Sequence, residues 1–100
     1  MADLASLQQQ LTNQIETSNQ IHEEAEQLYQ EQVLPSVLKN EFKNKTEQYL
    51  TMYESVETMK SLATKPEAIE NLILQQISIL VRCSEVDSDW IRRVNEYLNK

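Results

Sequence analysis

Not one of the 100 residues is glycine; at ordinary usage about seven would be expected. Glycine is the residue that supplies positive φ at little cost, in type II and primed turns, bulges, helix C′ caps and phosphate-binding loops. A chain without it has given up most tight hairpins, the dinucleotide fingerprint and the P-loop. Helix joined to helix remains cheap, so the absence points to an all-α fold and empties most of the catalytic motif list.

Other scarcities narrow the reading. There is one cysteine, Cys83, so no intrachain disulfide framework exists. A domain this small outside the cell is usually stapled, which favours an intracellular compartment, cytoplasmic or nuclear. No hydrophobic run reaches transmembrane length, the start MADLASLQQQ lacks the basic and apolar regions of a signal peptide, and the end Tyr97-Leu98-Asn99-Lys100 is no prenyl box. These features predict a protein without membrane insertion. Basic residues are missing from the first third: residues 1–34 hold Asp3, Glu16, Glu23, Glu24, Glu26 and Glu31 and no Lys or Arg. The whole chain carries a formal charge of −7. An acidic chain gains nothing from counterion release on a phosphate backbone, so nucleic acid is not an expected partner. The small cluster of Lys39, Lys43 and Lys45 is interleaved with Glu41 and Glu47 and reads as a solvated helix face.

The two prolines, Pro35 and Pro66, divide the chain into segments of 34, 30 and 34 residues. Each would make a helix of up to about 45–50 Å, and near-equal lengths suit an antiparallel bundle. In the first segment Leu4, Leu7, Leu11, Ile15, Ile21, Ala25, Leu28 and Tyr29 share one stripe. Ser18, His22 and Gln32 dilute it, and Asp3 is placed to be its N-cap. In the second, Leu38, Phe42, Lys45, Tyr49, Met52, Val56, Met59 and Ala63 alternate by four and three, a coiled-coil-like heptad with Lys45 as its one break. Thr64 with Glu67 fits a capping box for the next helix, with Pro66 in its first turn.

The third segment opens with the most apolar stretch, Ala68 to Cys83. Its apolar residues spread over roughly 240° of a helical wheel, too wide for a helix with one neighbour. Strand is rejected for Leu72–Val81, since no second strand-like segment exists to pair with it. After Cys83, the run Ser84-Glu85-Val86-Asp87-Ser88-Asp89 suggests a break or re-capping. Trp90, Ile91, Val94, Tyr97 and Leu98 then form a short amphipathic helix.

The resulting expectation is a single helical domain over 1–100. It is an antiparallel, coiled-coil-like three-helix bundle with helices over about 3–34, 36–62 and 66–83 and an optional short fourth over 88–99. The alternative is a long kinked helical hairpin, in which Pro35 bends one helix rather than reversing the chain.

Little here resembles catalytic machinery. His22 and Glu26 stand at i,i+4, a spacing used by metal-binding helices, but no second histidine completes a set and Glu-x-x-His does not occur. A partly buried His22 paired with Ser18 or Glu26 is the simpler reading. Cys83, among Ile69, Leu72, Ile79 and Leu80, reads as core rather than nucleophile. No enzyme, cofactor, metal or small-molecule substrate is expected.

The expected function is that of a non-enzymatic interaction subunit or adaptor of an intracellular multiprotein assembly. It would bind a protein partner, or a second copy, through the wide apolar face of 68–83 and the helical seams. The expected interface residues are Leu74, Ile77, Val81, Trp90, Ile91 and Val94, with Trp90 as anchor. The alternative is a small regulatory or chaperone-like binder shielding a hydrophobic helix of a client. A tether- or SNARE-like trafficking role is a third class, disfavoured by the lack of an anchor or a polybasic patch.

Overall fold

A computed structural model describes residues 3–100; residues 1 and 2, which the expected domain includes, lie outside the described residues. Three helices account for nearly all of it: α1 (Leu4–Glu31), α2 (Ser36–Leu62) and α3 (Pro66–Leu98). They form an all-α three-helix bundle 52 Å long and 20 × 16 Å across.

The links between helices show how a chain without glycine turns corners. No described residue has positive φ. Gln32 (φ −99°, ψ 147°), Pro35 (−58°, 146°), Ala63 (−75°, 139°) and Lys65 (−92°, 134°) all take extended conformations that any L-residue adopts. α1 and α2 are therefore left by straightening the backbone at Gln32 and Ala63, not by a left-handed cap. Pro35 disfavours helical geometry at Leu34, which ends α1 three residues short of the expected 34. Leu34 then inserts into the core beside Leu38, while Val33 and Val37 face solvent. The chain reverses here, which rules out the kinked hairpin.

Asp3 caps α1 as expected, its Oδ1 accepting from Ser6 N at 2.7 Å. Pro66 occupies the first turn of α3. The expected capping box does not form: Lys65, not Thr64, is the N-cap, and no side chain caps that end.

The break expected after Cys83 is also absent, and α3 runs unbroken through the region assigned to a fourth helix. Ser and Asp favour caps because their side chains compete for nearby backbone N–H groups. Here two of them bond across to α1 instead. Ser84 Oγ lies 2.8 Å from Ser18 Oγ, and Asp87 Oδ2 lies 3.0 Å from His22 Nδ1.

α3 is the central helix, with α1 and α2 each laid along it. Contacts between α1 and α3 keep a nearly constant sequence separation, 62 for Ser18–Leu80, 65 for His22–Asp87 and 66 for Ser18–Ser84, so these two helices are parallel. On α2 residue numbers fall as those on α3 rise, from Lys60–Gln76 to Glu41–Arg93 and Leu38–Trp90, so α2 is antiparallel to both. One core cluster joins Leu7, Leu11 and Ile73 with Leu4, Ile15, Ile69, Ile77 and Leu80 around them. The other joins Ala25, Leu34, Leu38, Phe42, Trp90 and Val94 at the far end. The 240° apolar arc is thereby explained: a helix flanked on two sides buries two faces.

The heptad on α2 is off by one at alternate positions. Phe42, Val56 and, partly, Tyr49 and Ala63 face inward as expected, but the residues between them are Thr46, Tyr53 and Lys60, half-buried. Lys45, Met52 and Met59 are exposed. The helix turns its flank toward α3 because Lys60 reaches a buried partner there that Met59 could not satisfy, Gln76 Oε1 at 2.8 Å.

Candidate functional site

α1 and α2 touch chiefly near the 32–35 link. There Phe42 stacks between the His22 ring (centroids 5.5 Å apart, planes 16° apart) and Trp90 (4.6 Å), with Tyr29 at 5.2 Å. Lys39 Nζ sits 5.0 Å above the Tyr29 ring. Trp90 Nε1 donates to Leu38 O at 2.8 Å, which ties α3 to the first turn of α2. Farther from this end the two helices stay on α3 without packing on each other. A groove of about 310 Å³ runs between them.

α1 contributes Ile15, Ser18, Asn19 and His22 to this groove, α2 contributes Thr46, Tyr49, Leu50 and Tyr53, and the floor is Ile79, Leu80 and Cys83 of α3. Its lining is mostly apolar. Leu50 is 55% exposed on its edge, and Thr46 Oγ1 is shut away from solvent with no hydrogen-bond partner. Burial, helped by the Glu57 carboxylate, pushes the Tyr53 phenol up from its ordinary value, so it stays protonated.

Polar clusters bound the groove at both ends. At one end His22 Nδ1 meets the buried Asp87 carboxylate at 3.0 Å, while Nε2 lies 3.7 Å from Glu26. The hydrogen bond that His22 donates to the Asp87 carboxylate is the main cause that raises the His22 pKa, against the lowering effect of burial. The expected partner of His22 on its own helix is thus secondary, and Ser18 is engaged elsewhere. Ser18 Oγ donates to Leu80 O at 3.2 Å and accepts from Gln14 Nε2 at 3.1 Å. At the other end fully buried Gln76 accepts from Lys60 Nζ and donates to Glu57 Oε2. That bond, with Lys60 beside it, holds the Glu57 carboxyl below its usual range.

Cys83 Sγ donates to Asp87 Oδ2 at 3.8 Å. Burial first, and Asp87 second, push the thiol up to about 12, so at neutral pH it is protonated and a poor nucleophile. Among the described residues no three His, Cys, Asp or Glu side chains gather to hold a metal ion. No described helix is long and apolar enough to cross a membrane.

The six expected interface residues separate into two groups. Trp90 and Val94 are buried in the chain's own core, with Ile91 packed against them, and Ile77 packs on the Leu11–Ile73 cluster. These four are committed internally, because α2 and α1 cover both flanks of α3. Leu74 and Val81 remain, 48% and 38% exposed, on the outer side of α3. The groove itself was not legible in the sequence, since it depends on α1 and α2 lying apart. Gln76 was also missed. Its position in the middle of the apolar arc was the available signal.

No protein family, characterised protein or solved structure matches this chain.

Proposed function

We propose that this protein is a non-enzymatic interaction subunit or adaptor of an intracellular assembly, and that it works by docking a helical segment of a protein partner. The observation that carries this reading is the open apolar groove between α1 and α2, floored by α3. Two helices laid on a third leave the place that a fourth helix occupies in a four-helix bundle. Covering Leu50, Tyr53 and Ile15 there would remove apolar surface from water, the general driving force of association. Leu74 and Val81 form a second, smaller apolar stripe on the outer side of α3.

Affinity purification of the tagged full chain from its own cells, with cross-links mapped by mass spectrometry, tests this. Two variants are compared with the wild type, Leu50→Asn in the groove and Leu74→Glu with Val81→Glu on the stripe. A partner retained in stoichiometric amount, cross-linked to α1 and α2, and lost with Leu50→Asn at unchanged helical content supports groove docking. Loss only with the Leu74/Val81 variant moves the interface to α3. A wild type that sediments as a monomer at tens of micromolar and retains no partner overturns the reading.

A further inference from the structure

The walls of the groove carry a charge pattern that specifies its occupant. On α1, Glu16, Asn19, Glu23 and Glu26 follow one another by three, four and three residues, so they form one stripe along the helix. On α2, Glu47, Leu50, Glu54 and Glu57 repeat the same spacing. In each stripe the second member, Asn19 or Leu50, lines the groove, which places the three carboxylates of each along its rim. All six are exposed or half-exposed.

Two of the six already have a partner, Glu57 Oε2 3.2 Å from Lys60 Nζ and Glu26 Oε2 3.7 Å from His22 Nε2, and Glu16, Glu23, Glu47 and Glu54 have none among the described residues. α1 has no Lys or Arg at all. Of the α2 lysines on this side, Lys39 is drawn over Tyr29 beyond one end, and Lys60 at the other is held by Gln76 and Glu57. Lys43 alone stands near the rim, one turn before Glu47. The groove's lining runs from Ile15 to His22 on α1 and from Thr46 to Tyr53 on α2, about 10 Å of helix, and the rims from Glu16 to Glu26 and from Glu47 to Glu57 extend it to about 15 Å.

We propose that the occupant of this groove is a basic amphipathic helix of a partner protein, engaged over about three turns. Its apolar face, with anchors at i, i+3/i+4 and i+7, lies on Ile15, Leu50, Tyr53 and Leu80. Its Lys and Arg residues flank that face and meet the two carboxylate rims. Thr46 Oγ1, in the α2 wall, supplies an unpaired hydroxyl for one polar side chain of that helix. An anionic lipid surface or a nucleic acid would face the four unpaired carboxylates, Glu16, Glu23, Glu47 and Glu54, and is repelled. The inference rests on the groove being a docking site and adds the charge class of what docks.

Fluorescence anisotropy with three labelled 18-residue amphipathic peptides, Leu/Lys, Leu/Gln and Leu/Glu, tests it on the full chain. The Leu/Lys peptide is expected to bind 1:1 and at least tenfold tighter than Leu/Gln in low salt, with most of that advantage lost in half-molar NaCl. Leu50→Asn should weaken it about tenfold, the size of one lost apolar anchor. Charge reversal at the rims, Glu16→Lys, Glu23→Lys, Glu47→Lys and Glu54→Lys together, should transfer the preference to Leu/Glu. The control Glu67→Lys with Glu85→Lys, exposed on α3 away from the groove, should leave binding unchanged.

Equal binding of Leu/Lys and Leu/Gln, both weakened by Leu50→Asn, overturns the charge class and leaves the docking site standing. A control variant that weakens binding as much as rim reversal shows diffuse charge attraction and overturns the inference. Insensitivity of every peptide to Leu50→Asn removes the groove, and with it both readings.

Discussion

His22 Nδ1 and Asp87 Oδ2 lie 3.0 Å apart and join α1 to α3 across a separation of 65 residues. Asp87 is only 4% exposed, and the His22 ring is stacked on Phe42 of α2, so one imidazole touches all three helices. The folded pKa of His22 is raised above 6.5, first by the Asp87 bond and also by the Glu26 carboxylate. A raised pKa means that the folded state binds the proton more tightly than the unfolded one. The charged pair therefore stabilises fully below about pH 6.5, the ordinary histidine value, and that contribution fades as pH rises through the raised value. Urea midpoints should fall from pH 6 to pH 8, below the range where an unfolded cysteine ionises, and His22→Gln should flatten that slope. A wild-type midpoint that is constant or rises over this range contradicts the assignment. A neutral imidazole with its proton on Nδ1 still donates to Asp87, so the hydrogen bond outlasts the charge.

Cys83 shares that carboxylate. With its pKa pushed up to about 12, the thiolate fraction at pH 8 is about a thousandfold below that of an ordinary cysteine near 8.5. Ellman's reagent at pH 8 should react with native protein about 10³-fold more slowly than with the urea-unfolded chain. Asp87→Asn should speed the native reaction, since it removes the negative charge that opposes ionisation. Equal rates in native and unfolded protein would refute the buried, protonated thiol.

These two residues also show what the sequence could and could not reveal. Backbone chemistry was legible. The missing glycines and the placement of Pro35, Pro66 and Asp3 lead to three helices, and the bounds 36–62 and the start of α3 are local consequences of those residues. Long-range pairing was not. Ser84 and Asp87 carry cap chemistry in any local reading, and only their neighbours Ser18 and His22 on a parallel helix turn them into cross-links. Met52 and Met59 look like better seam residues than Tyr53 and Lys60 until Gln76, buried opposite, asks for a polar partner. The groove is a relation between α1 and α2, and no pattern within either helix encodes its width.

Trp90 is the hinge pin of the far core. Its indole is 3% exposed, packed against Phe42 with the rings tilted 34°, and its Nε1 proton is spent on Leu38 O. Trp90→Phe keeps a ring against Phe42 and loses the bond and part of the volume, for an expected cost of about 1–2 kcal/mol. Trp90→Ala opens a cavity at the junction of all three helices and should cost about 3–5 kcal/mol. Denaturant unfolding followed by circular dichroism distinguishes them. A Trp90→Ala cost below about 1 kcal/mol would place the indole outside the core.

Gln76 is fully buried, yet its two partners have each other. Lys60 Nζ lies 3.2 Å from Glu57 Oε2, and both side chains reach solvent. Replacing Gln76 by Leu therefore strands no buried charge and fills nearly the same space. The expected change in stability is within about 1 kcal/mol, whereas Gln76→Ala should cost about 2 kcal/mol or more through its cavity. If Leu proves as costly as Ala, the bonds at Gln76 contribute more than its volume does.

Thr46 presents the opposite case, a hydroxyl buried with no partner beside the groove. In a helix a threonine hydroxyl can bond the carbonyl one turn back, and here it makes no such bond. Removing it relieves a desolvation penalty, and valine keeps the β-branch and the shape. Thr46→Val should raise stability by about 1 kcal/mol, read as a higher urea midpoint at unchanged m-value. A lower midpoint would mean that the hydroxyl is satisfied in solution, by water entering along the groove. The same variant separates the hydroxyl's two roles. If a docked helix pairs with Thr46, valine will stabilise the free chain while weakening the complex, and the two effects are measurable on one protein.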